Sequence, residues 1–278
     1  MSEPRRLIVN ADDFGLSEAV NRGIVAAHRD GIVTAASLTA CGPAFEHAAA
    51  LAAETPSLDL GVHLTLTQLA PVTAPDAVAS LVDSDGRFAA DAFVLARRYL
   101  RGLLDLAEVR KELDAQIRRV RDAGLAISHL DGHQHVHVLP GVAHVVADLA
   151  AAYDIRAARH PAEPVRSYML ANGRRLGEQL ALKAVCAVSP LRSLKRTTSF
   201  AGFYFGGRLT EKNLTTLLQH LPRRGTIELM CHPGEAEAGG PHREWGYAGP
   251  AEREALTSAT VKELLAARGT ELTTYRDL

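Results

Sequence analysis

The 278-residue sequence is poor in cysteine, aromatic side chains and net charge, and each shortage excludes something. Three cysteines, Cys41, Cys186 and Cys231, are odd in number and share no short spacing. That argues against a disulfide framework and a zinc–thiolate site, and it fits a reducing compartment. With 31 basic against 32 acidic residues, no overall field recommends a nucleic-acid partner. No apolar run approaches the ~18 residues of a membrane span. The opening MSEPRRLIVN reaches Asp12 too soon to hold the apolar core of a secretory signal. A cytoplasmic protein is expected, with peripheral membrane contact left open. Aromatics contribute 5%, but apolar residues reach 47% and charged ones 23%, a globular rather than a disordered profile.

Short β-branched or leucine-rich runs alternate with longer helical patterns along nearly the whole chain, the signature of parallel strands joined by crossover helices. Strands are expected over 6–10, 33–40, 58–66, 126–130, 155–159, 197–204, 226–231 and 271–275. Seven or eight strands of this kind point to a barrel. Ser17 can cap a helix that Gly31 stops, and Asp105 with Glu108 resembles a capping box. Two segments break the rhythm, one near 70–89 and one near 161–196. With no repeat or linker, the expectation is one domain over 1–278 with two insertions.

Ligand-binding residues of parallel sheets collect where strands end. The first strand, LIVN, runs into Asp12 and Asp13; the third, GVHL, carries His63; the fourth is followed by DGHQHVH; the seventh, IELMC, ends in His232 and Pro233. Singly, each has an ordinary explanation: a helix-entry turn for the aspartates, a hydrogen-bonded core histidine for His63, a turn for the His-Pro pair, a solvated loop for the cluster. Together they direct carboxylates and imidazoles to one edge. Asp131, His133, His135 and His137 alternate, and an extended chain would turn all four to one face. Histidine with aspartate is the donor set of zinc or a related divalent ion. A catalytic ion takes about three protein ligands, so the remaining residues would orient ligands, contact substrate or cap the next helix.

The ordered set NADDFG, GVHL, HLDGHQHVH and MCHP resembles the YdjC-like carbohydrate deacetylase family, which includes the chitooligosaccharide deacetylases. VTAASL and GPAFEHA are most similar to its hopanoid-biosynthesis-associated branch. The resemblance implies an α/β fold, an irregular (β/α) barrel of seven to eight mostly parallel strands with helical insertions. It also implies hydrolysis of an N-acetyl group from an amino sugar or glycoconjugate, releasing acetate, with one divalent metal ion, Mg2+ or Zn2+. Carried over by position, Asp13, His63 and His133 would bind the ion. Asp12, by similarity to polysaccharide deacetylases, would be the general base, and His232 the general acid. Asp131, His135, His137 and Arg159 are left as substrate-binding or supporting positions; Arg159 could orient the base or meet a sugar hydroxyl. The branch resemblance extends the substrate to an N-acetylglucosaminyl hopanoid lipid.

Strand alternation aims Cys231 away from His232, into the core. The apolar stretch 180–191, flanked by Arg174, Arg175, Arg192, Lys195 and Arg196, would pack on the barrel, cap the substrate or rest on an anionic membrane. Two other functions stay in view. A metal-dependent phosphoesterase would favour two ions about 3.5–4 Å apart. A metal- or sugar-binding barrel would lack catalysis, since fold does not dictate activity. The oligomeric state is not legible.

Overall fold

The computed structural model describes residues 4–238 and 244–278, with the side chains of Ala171 and Arg174 outside that description. Eight strands form one sheet: β1 Arg5–Phe14, β2 Ala35–Leu38, β3 Asp59–Leu64, β4 His129–Gly132, β5 Ala157–Ala158, β6 Ser199–Ala201, β7 Gly225–Cys231 and β8 Thr270–Leu272. Each stretch expected to be extended overlaps one of them, although β1 runs four residues further and β4 two residues further than expected. The order is β5-β4-β3-β2-β1-β7-β6, with β8 joined to β1, and the ladders are parallel. β1 is the spine: one edge pairs with β7, while on the other residues 5–7 meet β8 and residues 10–14 meet β2.

The sheet curls. Arg159, one residue past edge strand β5, lies with its guanidinium carbon 5.6 Å from the ring of Phe200 on the opposite edge strand β6. The edges thus face each other across an interior, as the expected irregular barrel requires. Alternation along β1 sorts the two faces. Leu7, Val9 and Ala11 join the main core beneath the helices, whereas Ile8 joins Ala35, Ala157 and Tyr275 in a small separate cluster. Tyr275 stacks on the His129 ring at 3.7 Å.

Parallel neighbours need crossovers, and helices supply them. In α1, Glu18–Arg29, the Ser17 hydroxyl accepts from the Val20 N–H at 3.2 Å, the expected cap. In α4, Leu106–Asp122, Val109, Leu113, Ile117 and Val120 form the buried stripe of an amphipathic helix. Asp105 caps it, accepting from the Ala107 N–H at 2.8 Å. Glu108 does not complete a capping box. It accepts instead from the Ser80 N–H at 2.6 Å, tying the 70–89 insertion to the helix, because a tertiary donor replaces the local one. The second insertion contains α6, Gly173–Val188, and is pinned by Glu163, whose buried carboxylate accepts from the N–H groups of Gly202 and Tyr204, each at 2.9 Å. Burial pushes Glu163 up to about 7.

Candidate metal centre

Strict alternation would send Asp12 and Asp13 to opposite faces of β1. The strand avoids this with a register break between Ala11 and Phe14, where Asp13 adopts a left-handed φ of 67°. Aspartate tolerates that conformation better than most residues, and the break keeps both buried carboxylates at the interior mouth.

Asp13 Oδ1 stands 3.1 Å from His133 Nδ1 and 3.5 Å from His63 Nε2. The far side of each ring is occupied. His63 Nδ1 bonds Asp131 Oδ1 at 2.9 Å, and His133 Nε2 bonds Gln68 Oε1 at 2.7 Å. Both partners are acceptors, so the two far nitrogens carry the N–H, and a neutral ring then turns a lone pair toward Asp13. One ligand atom from each of Asp13, His63 and His133 lies within 4.8 Å of the others, and all three residues are buried. The residues present therefore fit a divalent ion in number, chemistry and orientation, and the group could bind one.

Asp12 faces a different partner. Arg159 NH1 and NH2 donate to its Oδ2 and Oδ1, each at 2.6 Å, and Asn10 Nδ2 donates to Oδ1 at 2.9 Å. The same guanidinium reaches Asp131 Oδ2 at 2.9 Å and donates from Nε to Glu228 Oε1 at 2.6 Å. Arg159 is 0% exposed and its guanidinium is engaged with the Asp12 carboxylate, which favours orienting Asp12 over meeting a sugar hydroxyl. Asp12, His63 and Asp131 form a second grouping with metal-ligand spacing. Two of its carboxylates are already engaged by Arg159, which favours the Asp13 group.

These charges set the local proton affinities. Burial would lower the His63 pKa, but the carboxylates of Asp131, Asp12 and Asp13 outweigh it and hold it at about 9. For Asp131 burial would raise the pKa, yet Arg159 and His63 hold it well below the usual carboxylate range. Burial raises Glu228 to about 6 despite Arg159. Burial likewise pushes His129 and His137 down to about 4. His135 is lowered by burial first, then by Arg159 and His137.

The alternating histidines do not form one face. β4 ends at Gly132, and residues His133–Val138 make a tight turn in which Gln134 and His135 take left-handed φ values of 51° and 57°. The Gln134 side-chain Oε1 accepts from the Ala92 N–H at 2.7 Å, a tertiary bond that helps hold the turn. His133 thus points to Asp13. His135 packs against Phe200 and Phe203, with ring centroids 5.7 and 5.6 Å away. His137 Nε2 bonds the Arg159 carbonyl at 3.2 Å. Neither caps the next helix, α5 Pro140–Ala152, which lacks a side-chain cap.

His232 follows β7 at the same edge, one residue beyond the Ala11–Cys231 pair. Its N–H donates to Glu252 Oε2 at 2.5 Å, and its ring packs on Tyr247 at 4.5 Å. Cys231 points into the core as expected, its thiol 3.4 Å from the Asn10 carbonyl and raised in pKa by burial. Residues not singled out from sequence complete the centre: Gln68 behind His133, Ser37 donating to Asp131 Oδ2 at 2.7 Å, Asn10, and Glu228. Glu228 had a signal, a charge inside the apolar run TIELMC.

A curled parallel sheet with an aspartate–histidine–histidine cradle at the C-terminal ends of its strands defines the class of protein. The chain belongs to the YdjC-like protein family, whose model matches residues 6–267. It is 34% identical over 276 residues to a carbohydrate deacetylase of Brevibacillus brevis, covering 98% of this chain and 99% of that one. A carbohydrate deacetylase of Geobacillus stearothermophilus is 36% identical over 280 residues, with 99% and 98% covered. A chitooligosaccharide deacetylase of Salmonella paratyphi B is 34% identical over 277 residues, with 99% of each covered. Among solved structures, a protein of Enterococcus faecalis V583, provisionally described as a cellobiose-phosphate cleavage protein, superposes with a TM-score of 0.80 at 28% identity, covering 99% and 98%.

Proposed function

We propose that the protein is a metal-dependent carbohydrate deacetylase that removes the N-acetyl group of an amino sugar and releases acetate. The observation that carries this reading is the cradle of Asp13, His63 and His133 beside the Arg159-held carboxylate of Asp12. The relatives named as deacetylases support it over almost their whole length. When bound, a divalent ion supplies Lewis acidity, polarising the amide carbonyl and making water more acidic; zinc and magnesium both suit the reading.

The side chains divide the remaining work. Asp13, His63 and His133 hold the ion, with Asp131 and Gln68 fixing the two rings. Asp12 accepts the proton of the attacking water at Oδ2, which takes one bond from Arg159, whereas Oδ1 takes one from Arg159 and one from Asn10. Arg159 keeps that carboxylate aimed. His232 donates a proton to the departing amine, leaving acetate and a free amino sugar. A two-ion phosphoesterase is disfavoured because Arg159 already occupies the carboxylates a second ion would need.

Acetate release from chitooligosaccharides by metal-depleted and repleted protein tests the reading; release of phosphate alone from phosphosugars, or of neither product, would refute it. Asp12→Asn is expected to abolish turnover while keeping the metal, and Asp13→Asn to lose metal as well; equal metal loss in both would refute the division of roles. An N-acetylglucosaminyl hopanoid run in parallel tests the lipid-linked substrate. Flotation with anionic liposomes tests membrane contact through α6, where Leu180 and Val188 are 49% and 79% exposed.

A further inference from the structure

We infer that Trp245, backed by Tyr247, is the platform on which a pyranose ring of the substrate stacks, an assignment that rests on the deacetylase reading. In a chain with 5% aromatics, this is the single tryptophan. Its ring centroid lies 4.7 Å from that of His133, tilted by 38°. Trp245 meets Tyr247 edge-on at 5.8 Å and 72°, and Tyr247 in turn packs on His232 at 4.5 Å. The two aromatics therefore run as one wall from a metal-cradle residue to the histidine assigned to the leaving amine. A sugar whose acetamido group sits between those histidines has this wall along its side.

The wall is partly exposed yet anchored. Gly207 has a φ of 73°, and a Cβ there would lie 2.2 Å from the Tyr247 ring, so glycine alone lets the ring seat. The Ala248 N–H donates to the Gly207 carbonyl at 2.7 Å, and the Gly234 N–H to the Gly249 carbonyl at 3.1 Å. These bonds hold the segment against both the loop after β6 and the loop after β7.

The chemistry of an amino-sugar ring suits such a surface. A pyranose with equatorial substituents presents axial C–H groups on its faces and polar groups around its rim. Stacking a face on indole buries apolar area while the rim stays free for hydrogen bonds, and the broad ring fixes orientation. The competing explanation is that Trp245 only packs His133 in place, which predicts an effect on metal binding rather than on sugar binding.

Because one residue supplies all tryptophan emission, the full zinc-loaded chain reports directly. Titration with N,N′-diacetylchitobiose is expected to shift the emission saturably; unchanged emission at sugar concentrations that saturate turnover would overturn the inference. In steady-state assays Trp245→Ala is expected to raise KM about tenfold or more while kcat falls less than about threefold, with Trp245→Phe recovering most of the loss. Zinc affinity by calorimetry should stay within about twofold of the parent protein. Loss of zinc affinity and kcat at unchanged KM would overturn the stacking role, and circular dichroism of both variants separates it from misfolding. If the parent protein releases no acetate, the deacetylase reading fails, and the emission titration still judges Trp245 on its own.

Discussion

Lowering the pH from about 8 to about 6 is expected to weaken zinc binding about a hundredfold, and His63 is the reason. Its ring is buried, which by itself would disfavour the charged form, but Asp131, Asp12 and Asp13 hold its pKa at about 9. Below that pH the metal-free ring carries a proton on Nε2, the nitrogen that faces Asp13. A cation must displace it, so each pH unit below about 9 costs roughly tenfold, about 1.4 kcal/mol. Calorimetry at pH ~7.5 in buffers of different ionisation enthalpy should find about one proton released per zinc. Asp131→Asn removes the carboxylate bonded to His63 Nδ1, so proton release should fall toward zero. Affinity at high pH should also drop about 10–100-fold, because the ring loses its orientation. Equal affinity at both pH values with no proton released would refute the reasoning.

The same proton affects the metal-free fold. A histidine whose folded pKa is raised from 6.5 to about 9 stabilises fully below about 6.5, and the contribution fades as pH rises through about 9. Its size is about 3 kcal/mol. Glu163, raised by burial from 4.5 to about 7, contributes a decline in the same direction over its own range. Zinc-loaded protein is therefore the control for the His63 contribution, since there the ion has replaced the His63 proton and the decline through about pH 9 should be absent.

Arg159→Met removes the cation that contacts Asp12, Asp131 and Glu228 and should destabilise by about 3–5 kcal/mol, lowering Tm by about 5–9 °C. Arg159→Lys should rescue little, because an ammonium cannot reproduce the paired contact with Asp12; a Tm within about 2 °C of the parent in either variant would contradict this. Gly61→Ala would place a Cβ 2.4 Å from the His129 ring, on which Tyr275 stacks, and should cost about 1–3 kcal/mol in urea unfolding. An unchanged urea midpoint would show that the barrel interior has room there.

Most strands were legible as compact apolar runs ended by turn residues, and the ends of parallel strands brought Asp12, Asp13, His63, the histidine cluster and His232 to one edge, whereas the choice of Asp13, His63 and His133 among them came from the family resemblance. The run from Asp131 to His137 misled because alternation looks the same in a strand as in a turn carrying two left-handed residues. What favours the turn is the bond from Ala92 to Gln134, far away in sequence. Gln68 lies in no motif and matters only through the ring it touches. The interior network had a signal in plain sight: Asn10 and Asp12, Ser37, Asp59 and His63, His129 and Asp131, and Glu228 are polar residues at alternating or isolated positions within apolar strands. A soluble sheet covered by helices does not place such residues on its outer face.

That interior column bears on which ion the cradle selects. Asp12, Asp13, Asp131 and Glu228 bring four carboxylates to the interior, and Arg159 opposes them with one positive charge. Burying such an imbalance is costly in a medium that screens poorly. In the metal-free protein the His63 proton removes one of the surplus negative charges. A divalent ion would remove two once that proton has left, whereas a monovalent ion would only exchange one positive charge for another and gain nothing electrostatically. The preference for a doubly charged cation is thus written into the count of buried carboxylates against Arg159, before the finer matter of which donors zinc or magnesium prefers arises.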